Sequence, residues 1–378
     1  MSKKYSIFIT VLFCLFLFGF GIALLVLPDR EFSEQENRYL TQFKAPTLDS
    51  VFGENGQFMA DFEKYVNDQF PLRDQWIQLK AWSERLLGKQ ENNKVYFGTD
   101  GQTLFAQFNA LPDEALAERV DYVNQLADNV IVPVYFSLIP DKTYVWADRL
   151  PDGAPRVDNG STLDRAQALC SEWVTWIDLK NVLQGGDVFY RTDHHWSTMG
   201  AYQGYQALMT SMTGSYTQLD TQPTLVSDRF YGTTWSSSGA GWISPDEMYT
   251  WVPEGGLTGN TTVTRYPEGL PEEGSLYDLS KLEQKDKYSM FLGGNQPLGV
   301  VKNANNPDGP RLLIIRDSYA DSLVPFLTPH FSEIHLLDLR YYKLSIADYI
   351  AQNGIDQALV LYSVPNFVTD SNLLWIAK

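Results

Sequence analysis

From Ile7 to Leu27 almost every side chain is apolar, with Lys3 and Lys4 ahead of the run and Pro28-Asp29-Arg30 behind it. At about 1.5 Å of rise per residue, such a run makes a helix of roughly 30 Å, the thickness of a bilayer's hydrocarbon core. A secretory signal has a shorter apolar stretch and small residues before its cleavage point. Here the run closes on Leu25-Val26-Leu27-Pro28, and Phe13 stands before Cys14 where a lipoprotein needs a small residue. The two lysines favour a cytoplasmic N-terminus. Residues 1–28 are therefore expected to be an uncleaved transmembrane anchor in the cell membrane, with everything from Asp29 onward extracytoplasmic.

The pattern then turns helical and interrupted. Phe58, Phe62, Tyr65 and Val66 recur at helical spacing until Phe70-Pro71 breaks the run; Trp76, Leu79, Trp82, Leu86 and Leu87 form a second stripe that ends at Gly88, a plausible C-cap. Residues 68–74 between them are rich in charge, as at a capped helix break. Val95-Tyr96-Phe97-Gly98 followed by Asp100-Gly101 reads as a strand and turn. Residues 29–100 are expected to form a membrane-proximal helical region.

Residues 101–378 alternate between helical stripes and apolar runs. Leu116, Val120, Val123 and Leu126 share a helix face, and Val130 to Leu138 reads as a buried strand. Trp176 to Leu179 is a short strand candidate, and Ala201 to Met212 a helix. Further on, strands at Arg311–Ile315, Ile334–Leu337 and Ala358–Leu361 alternate with helices at Ser322–Leu327 and Ile346–Gln352. This order predicts an α/β domain with a parallel sheet flanked by helices. Between about 215 and 300 the composition shifts to Thr, Ser, Gly, Trp and Tyr, as in a β- and loop-rich insertion that shapes a groove.

Charge narrows the choice. The 46 acidic against 29 basic residues give a formal net charge of −17, which repels phosphate and excludes a nucleic-acid-binding role. Two cysteines, Cys14 and Cys170, make neither a disulfide framework nor a zinc cluster. Cys170 is expected to be a small core residue in a helix from Arg165 to Thr175.

Two stretches carry candidate chemistry. The first is Asp193-His194-His195-Trp196-Ser197, a loop ending at a helix N-terminus with Ser197 or Thr198 as N-cap. Asp193 and His195 are spaced for a carboxylate to orient an imidazole; the same residues also suit a capping turn, or a metal site with Asp187, His330 or His335 as a third ligand. The second is the apolar run Leu312–Ile315 leading into Arg316-Asp317-Ser318-Tyr319. A serine at a strand end before a helix has the placement of a nucleophile elbow, or of an ordinary N-cap.

Asp193, His195 and Ser318 together complete a Ser-His-Asp set, and triads arise in any chain order. With Asp193-His194-His195-Trp196 running into Ser197-Thr198-Met199-Gly200-Ala201, the sequence resembles the DHHW proteins, relatives of the alginate O-acetyltransferases in the SGNH-hydrolase-like superfamily. Glu36-Asn37-Arg38, residues 68–74, Asn93 to Gly98, Pro140-Asp141-Lys142 and Arg316 to Tyr319 also match, so the resemblance spans nearly all of the chain after the anchor. It implies an SGNH-hydrolase-like sheet in residues 101–378. The relatives' Asp-x-His-Trp motif falls on Asp193, His195 and Trp196, and their Gly-Asp-Ser turn on Asp317 and Ser318, with Arg316 replacing the glycine.

The expected function is an extracytoplasmic acyl-ester enzyme, transferring acetyl groups to a surface or exported polysaccharide or removing them. Ser318 is the expected nucleophile, His195 the base and Asp193 its orienting partner, with Trp196, Arg316, Tyr319 and Asn366 binding substrate. Asn366 is the expected second oxyanion donor beside the Ser318 amide, and Arg316 is expected to bind a carboxylate or oxyanion or to limit the substrate's approach. No cofactor or metal is expected. A membrane-bound O-acyltransferase as acetyl donor is implied by the resemblance only. Two alternatives remain open: a glycan-binding or assembly protein using Trp235, Trp242 and Trp251, and a metal-dependent hydrolase built on His194 and His195.

Overall fold

The computed structural model describes residues 3–52 and 56–378; residues 1–2 of the expected anchor and 53–55 of the expected helical region lie outside them. The chain divides into two compact units, one of residues up to Asn92 with Ser236–Trp242, the other of Asn93–Trp235 with Ile243–Lys378.

The first unit opens with helix α1 (Lys3–Val26), which is long and apolar enough to cross a membrane as an anchor or a signal sequence. Helix α2 (Phe58–Gln69) stops at Phe70 because Pro71 cannot continue it, and Leu72, in the left-handed region at φ 60°, turns the chain into α3 (Arg73–Leu86). The charged residues at this break make ion pairs. Asp68 accepts from Arg38 at 2.5 and 3.0 Å, and Arg73 donates to Glu36 at 2.6 and 3.0 Å. Arg38, with help from the Thr41 amide, holds the Asp68 carboxyl far below the usual range despite burial.

The second unit begins with the antiparallel pair β1 (Val95–Phe97) and β2 (Leu104–Ala106), then α4 (Asp113–Asn129). Next come β3 (Val134–Ile139), α5 (Asn159–Leu169), β4 (Val174–Trp176) and α6 (Thr198–Thr213). The region expected as an insertion holds the hairpin β5 (Thr224–Phe230) and β6 (Asp246–Thr250), then β7 (Thr261–Arg265), β8 (Glu272–Gly274) and β9 (Leu298–Asn303). The chain closes with β10 (Arg311–Arg316), α7 (Tyr319–Leu327), β11 (Glu333–Leu337), α8 (Ile346–Asn353), β12 (Gln357–Ser363) and α9 (Val364–Thr369).

Among the described residues the main sheet has eight strands in the order β8-β7-β9-β11-β10-β12-β3-β4. From β11 to β4 the pairing is parallel, while β8, β7 and β9 join antiparallel at the other edge. So the composition shift does mark short strands and loops, but three of those strands extend the parallel sheet instead of standing apart from it. Side chains alternate across the strands: Leu312 and Ile314 join the core under α6 and α7, and Leu313 and Ile315 the core under α4 and α8. This is a helix–sheet–helix sandwich, an α/β fold with a mostly parallel sheet. Catalytic groups in such folds gather at the carboxyl ends of the parallel strands. Residues 317–318 after β10, 364–366 after β12 and 140–142 after β3 all leave the sheet at that edge.

Three expected boundaries move. The strand expected from Val130 begins at Val134, because Pro133 carries no N–H for the ladder and Ile131 stands in solvent. The helix expected from Arg165 to Thr175 is Asn159–Leu169, started by Asp158 capping the Ser161 amide; Cys170 is its half-buried C-cap residue. The strand expected from Trp176 lies earlier, at Val174–Trp176, pairing with β3.

Candidate active site

The loop before α6 folds back as a tight hairpin, with the Tyr190 amide donating to the His195 carbonyl and the Ser197 amide to Val188. The Ser197 hydroxyl accepts the Met199 and Gly200 amides and starts α6. Trp196 is fully buried under this hairpin, its indole N–H shared by the Tyr319 carbonyl and the Ser322 hydroxyl, both at 2.9 Å. It therefore docks the loop onto α7 and is out of a substrate's reach, a correction to its expected binding role.

His195 is the centre of the arrangement. Its Nε2 is 2.6 Å from Ser318 Oγ, and its Nδ1 is 2.6 Å from Asp193 Oδ1, which also accepts the His195 amide at 3.0 Å. The other Asp193 oxygen accepts the Thr233 amide at 2.7 Å and its hydroxyl at 2.9 Å. Burial raises the Asp193 pKa, but the neighbouring imidazoles of His194 and His195 and the hydrogen bonds from His195 outweigh it and hold the carboxyl well below the usual range. The carboxylate fits only because residue 232 is glycine: a Cβ there would stand 2.2 Å from the Asp193 Cβ and 2.3 Å from its Oδ2.

Ser318 sits at the N-terminus of α7, yet its hydroxyl makes no capping bond. Asp317 does that work through Oδ1 to the Tyr319 amide, while its Oδ2 accepts from the Ser363 amide, the Ser363 hydroxyl and Asn366 Nδ2. The capping reading of the turn thus belongs to Asp317, and Ser318 Oγ is left to face His195. The ring of Tyr288 stacks on His195 at 3.7 Å and 6°, and its hydroxyl donates towards the Ser318 carbonyl at 3.2 Å.

The other expected residues fall in different places. Asn366 lies at the site, where its Nδ2 donates one N–H to Asp317 at 2.8 Å. Arg316 is buried and turned away from any substrate: its Nη1 meets Asp321 at 3.0 Å and Asn295 at 3.2 Å. Burial, against the pull of Arg316, pushes the Asp321 carboxyl up to about 7. Tyr319 is almost wholly buried, its hydroxyl donating to the His194 carbonyl. His194 faces outward, Nδ1 2.7 Å from the Thr233 hydroxyl, with burial and then His195 depressing its pKa. Of the aromatic residues considered for glycan stacking, Trp235 packs on Tyr231 beneath Lys285, Trp251 packs on Tyr202, and Trp242 contacts Trp82 in the first unit.

Donor atoms of Asp193, His194 and His195 lie within 4.8 Å of one another, a spacing a metal ion would fit. Two of the further ligands expected for a metal are engaged with other groups: His330 bonds Tyr205, and His335 lies between Tyr349 and Glu333.

Lys142 was not singled out for chemistry by sequence reasoning; the only signal was its place in Pro140-Asp141-Lys142 directly after a buried strand. Its ammonium is buried beneath the histidine loop and donates to the carbonyls of Leu104, Tyr190, Arg191 and Asp193 at 2.6, 3.0, 3.3 and 2.6 Å. Burial pulls its pKa down to about 8 against the attraction of Asp193 and Asp246. Beside it a cavity of about 170 Å³ opens between Phe105, Asp141, His194, Tyr319 and Asn366.

Comparison with known proteins finds matches in sequence and in fold. The DHHW protein family matches residues 174–337, and the SGNH hydrolase-like domain of the acetyltransferase AlgX matches residues 97–233. A DHHW family protein from Eubacterium siraeum superposes with a TM-score of 0.64 at 22% identity, over 75% of this chain and 95% of that one. PatB1 from Bacillus cereus, in a structure with a sulfonyl adduct, gives 0.63 at 22% identity over 76% of this chain and 100% of that one. No curated protein matches the chain. Residues 174–337 thus match the DHHW protein family and residues 97–233 the SGNH hydrolase-like acetyltransferase domain, and the solved structures share the fold.

Proposed function

We propose that this is a membrane-anchored, extracytoplasmic enzyme that moves acetyl groups on or off a surface or exported polysaccharide. The observation that carries the reading is the unbroken chain from Ser318 Oγ through His195 to Asp193, with both links at 2.6 Å. Ser318 attacks the acyl carbonyl as its proton passes to His195 Nε2. The oxyanion faces the Ser318 amide, which donates to no protein group among the described residues. His195 then returns its proton to the departing alcohol, leaving an acetyl ester on Ser318. A sugar hydroxyl or water next gives its proton to His195, attacks the ester and frees the serine. In the transferase form of the reaction, the acetyl group arrives from a membrane-bound O-acyltransferase.

An activated acetyl ester given to the full-length protein tests this. The wild type should release a burst of leaving group and gain one acetyl mass on the peptide containing Ser318, while Ser318→Ala shows neither. A sulfonyl reagent, of the kind whose adduct is seen in PatB1, should label the same peptide. A folded wild type that reacts with neither reagent rules the mechanism out. The anchor is tested separately: protease outside intact cells should remove everything after about Arg30, whereas a secreted form starting near Pro28 would make α1 a signal sequence.

A further inference from the structure

We propose that Tyr288 is a positioning residue for acyl transfer, its ring fixing the plane of the His195 imidazole and its hydroxyl tying that ring to the turn that carries Ser318; the inference rests on the reading above and adds a residue to it. Tyr288 stands in a short 3₁₀ turn, Lys287–Met290, between β8 and β9. Its ring lies flat on the imidazole, with the centroids 3.7 Å apart and the planes at 6°. Its hydroxyl is 3.2 Å from the Ser318 carbonyl and 3.1 Å from the Ser322 hydroxyl, which also accepts the Trp196 indole N–H. One side chain thus touches the base, the nucleophile's backbone and the serine on which the histidine loop docks.

The imidazole needs such a neighbour. Its bonds to Asp193 and Ser318 fix the two ring nitrogens, yet the ring can still rock about the line that joins them. A flat ring in contact with one face removes that motion. The other aromatic neighbours of His195, His194 and Tyr319, meet it at 36° and 53°, so among the described residues Tyr288 alone lies parallel to it. The stack also favours the charged form: when the proton of Ser318 arrives, the imidazole becomes a cation against an aromatic face.

The hydroxyl separates this role from plain core packing. A phenylalanine would fill the same space without a polar group to satisfy, and a buried phenol costs stability unless it finds a partner. Both partners that Tyr288 finds belong to the start of α7, on Ser318 itself and one helical turn beyond it. Burial, with Asp321 nearby, raises the phenol's pKa far above the usual range, so the hydroxyl keeps its proton. Only 5% exposed, Tyr288 lies out of a substrate's reach and acts through His195.

The test compares the full-length wild type with Tyr288→Phe, which keeps the ring, and with Tyr288→Met and Tyr288→Leu, which remove it. The flexible side chain of Tyr288→Met fills the space if Tyr288→Leu does not fold. On a small activated acetyl ester, Tyr288→Met and Tyr288→Leu should lose about 100-fold in kcat with KM within about twofold, the effect of a misplaced base, and Tyr288→Phe should stay within about tenfold of wild type. A second readout needs no turnover. The Nδ1 proton shared with Asp193 gives a downfield imidazole resonance, assigned by its loss in His195→Ala. That resonance should persist in Tyr288→Phe and broaden or vanish in Tyr288→Met and Tyr288→Leu. Ring-less variants that keep kcat within about threefold, a Tyr288→Phe as slow as they are, or a resonance unchanged in all of them overturns the assignment. The two readings fail separately: a wild type without turnover whose resonance follows the ring removes the enzyme and keeps the clamp, and wild-type kcat in every variant removes the clamp and keeps the enzyme.

Discussion

Replacing Lys142 by methionine keeps the length and apolar stem of the side chain and removes the ammonium that four carbonyls surround. Two of its contacts, to Leu104 and Asp193, are at 2.6 Å and carry most of the interaction. A hydrogen bond to a charged group nets about 1.5–3 kcal/mol, and the variant regains part of that because it no longer desolvates an ion. A net loss of about 2–4 kcal/mol follows, which for a unit of this size lowers Tm by about 5–12 °C. The catalytic consequence is distinct. The Asp193 carbonyl is one of the bonded groups, so release of the loop by about 1 Å spoils the alignment of His195 with Ser318 and costs about 100-fold in kcat. KM for a small ester should change little. The wild type should also lose activity as the pH rises through about 8, where Lys142 gives up a proton, and the variant should lack that limb. Circular dichroism melting and ester turnover across pH 6–9 measure both effects. A variant that melts early yet keeps kcat within twofold would show that Lys142 holds the fold and does not position the triad.

Three further outcomes are expected. His195→Ala should abolish ester turnover in a folded protein, while His194→Ala, whose ring faces Thr233, should cost less than about tenfold; equal losses accompanied by loss of a bound metal ion would favour the metal-hydrolase alternative. Gly232→Ala should displace the Asp193 carboxylate and reduce kcat by two orders of magnitude or more, because its new methyl would lie 2.3 Å from Oδ2; wild-type activity would show that the loop yields. Burial raises Asp141 to about 6, above its unfolded value near 4. The folded state therefore holds that proton more tightly, and the stability it contributes is complete below about pH 4 and is lost as pH rises through 6, by roughly 3 kcal/mol at most. Asp141→Asn should flatten the pH dependence of unfolding in that window, and an unchanged slope would show that the carboxyl is already charged at pH 4.

The sequence showed the residues whose local pattern is also their structural role. Leu312 to Ile315 form a strand because they are apolar without a break, and such a strand ends where the buried sheet ends; Ser318 follows from that. Asp193 and His195 lie two apart on one turn, so their contact is local. What stayed hidden depends on long-range closure. Tyr288 reaches His195 from a 3₁₀ turn almost a hundred residues away, and Thr233 and Gly232 come to Asp193 from the end of β5. Lys142 reads as a surface lysine until the histidine loop is folded over it. The strands of the 215–300 region were legible as strands, but nothing in their pattern tells that three of them continue the main sheet.

Arg316 shows how a departure from a motif can leave its geometry intact. The related turn has glycine at this position, and a glycine is needed there only where the backbone must take a positive φ or a ligand must approach closely. Arg316 is not among the positive-φ residues, so its backbone suits any L-residue. Its side chain runs inward to Asp321 in the first turn of α7 and to Asn295. A buried guanidinium without a carboxylate would destabilise the strand end, so Arg316 and Asp321 stand or fall as a pair. Exchanging Arg316 alone for glycine would leave Asp321 buried without its cation beside the triad. The arginine therefore leaves the mouth of the site open and anchors the first turn of the helix that presents the serine.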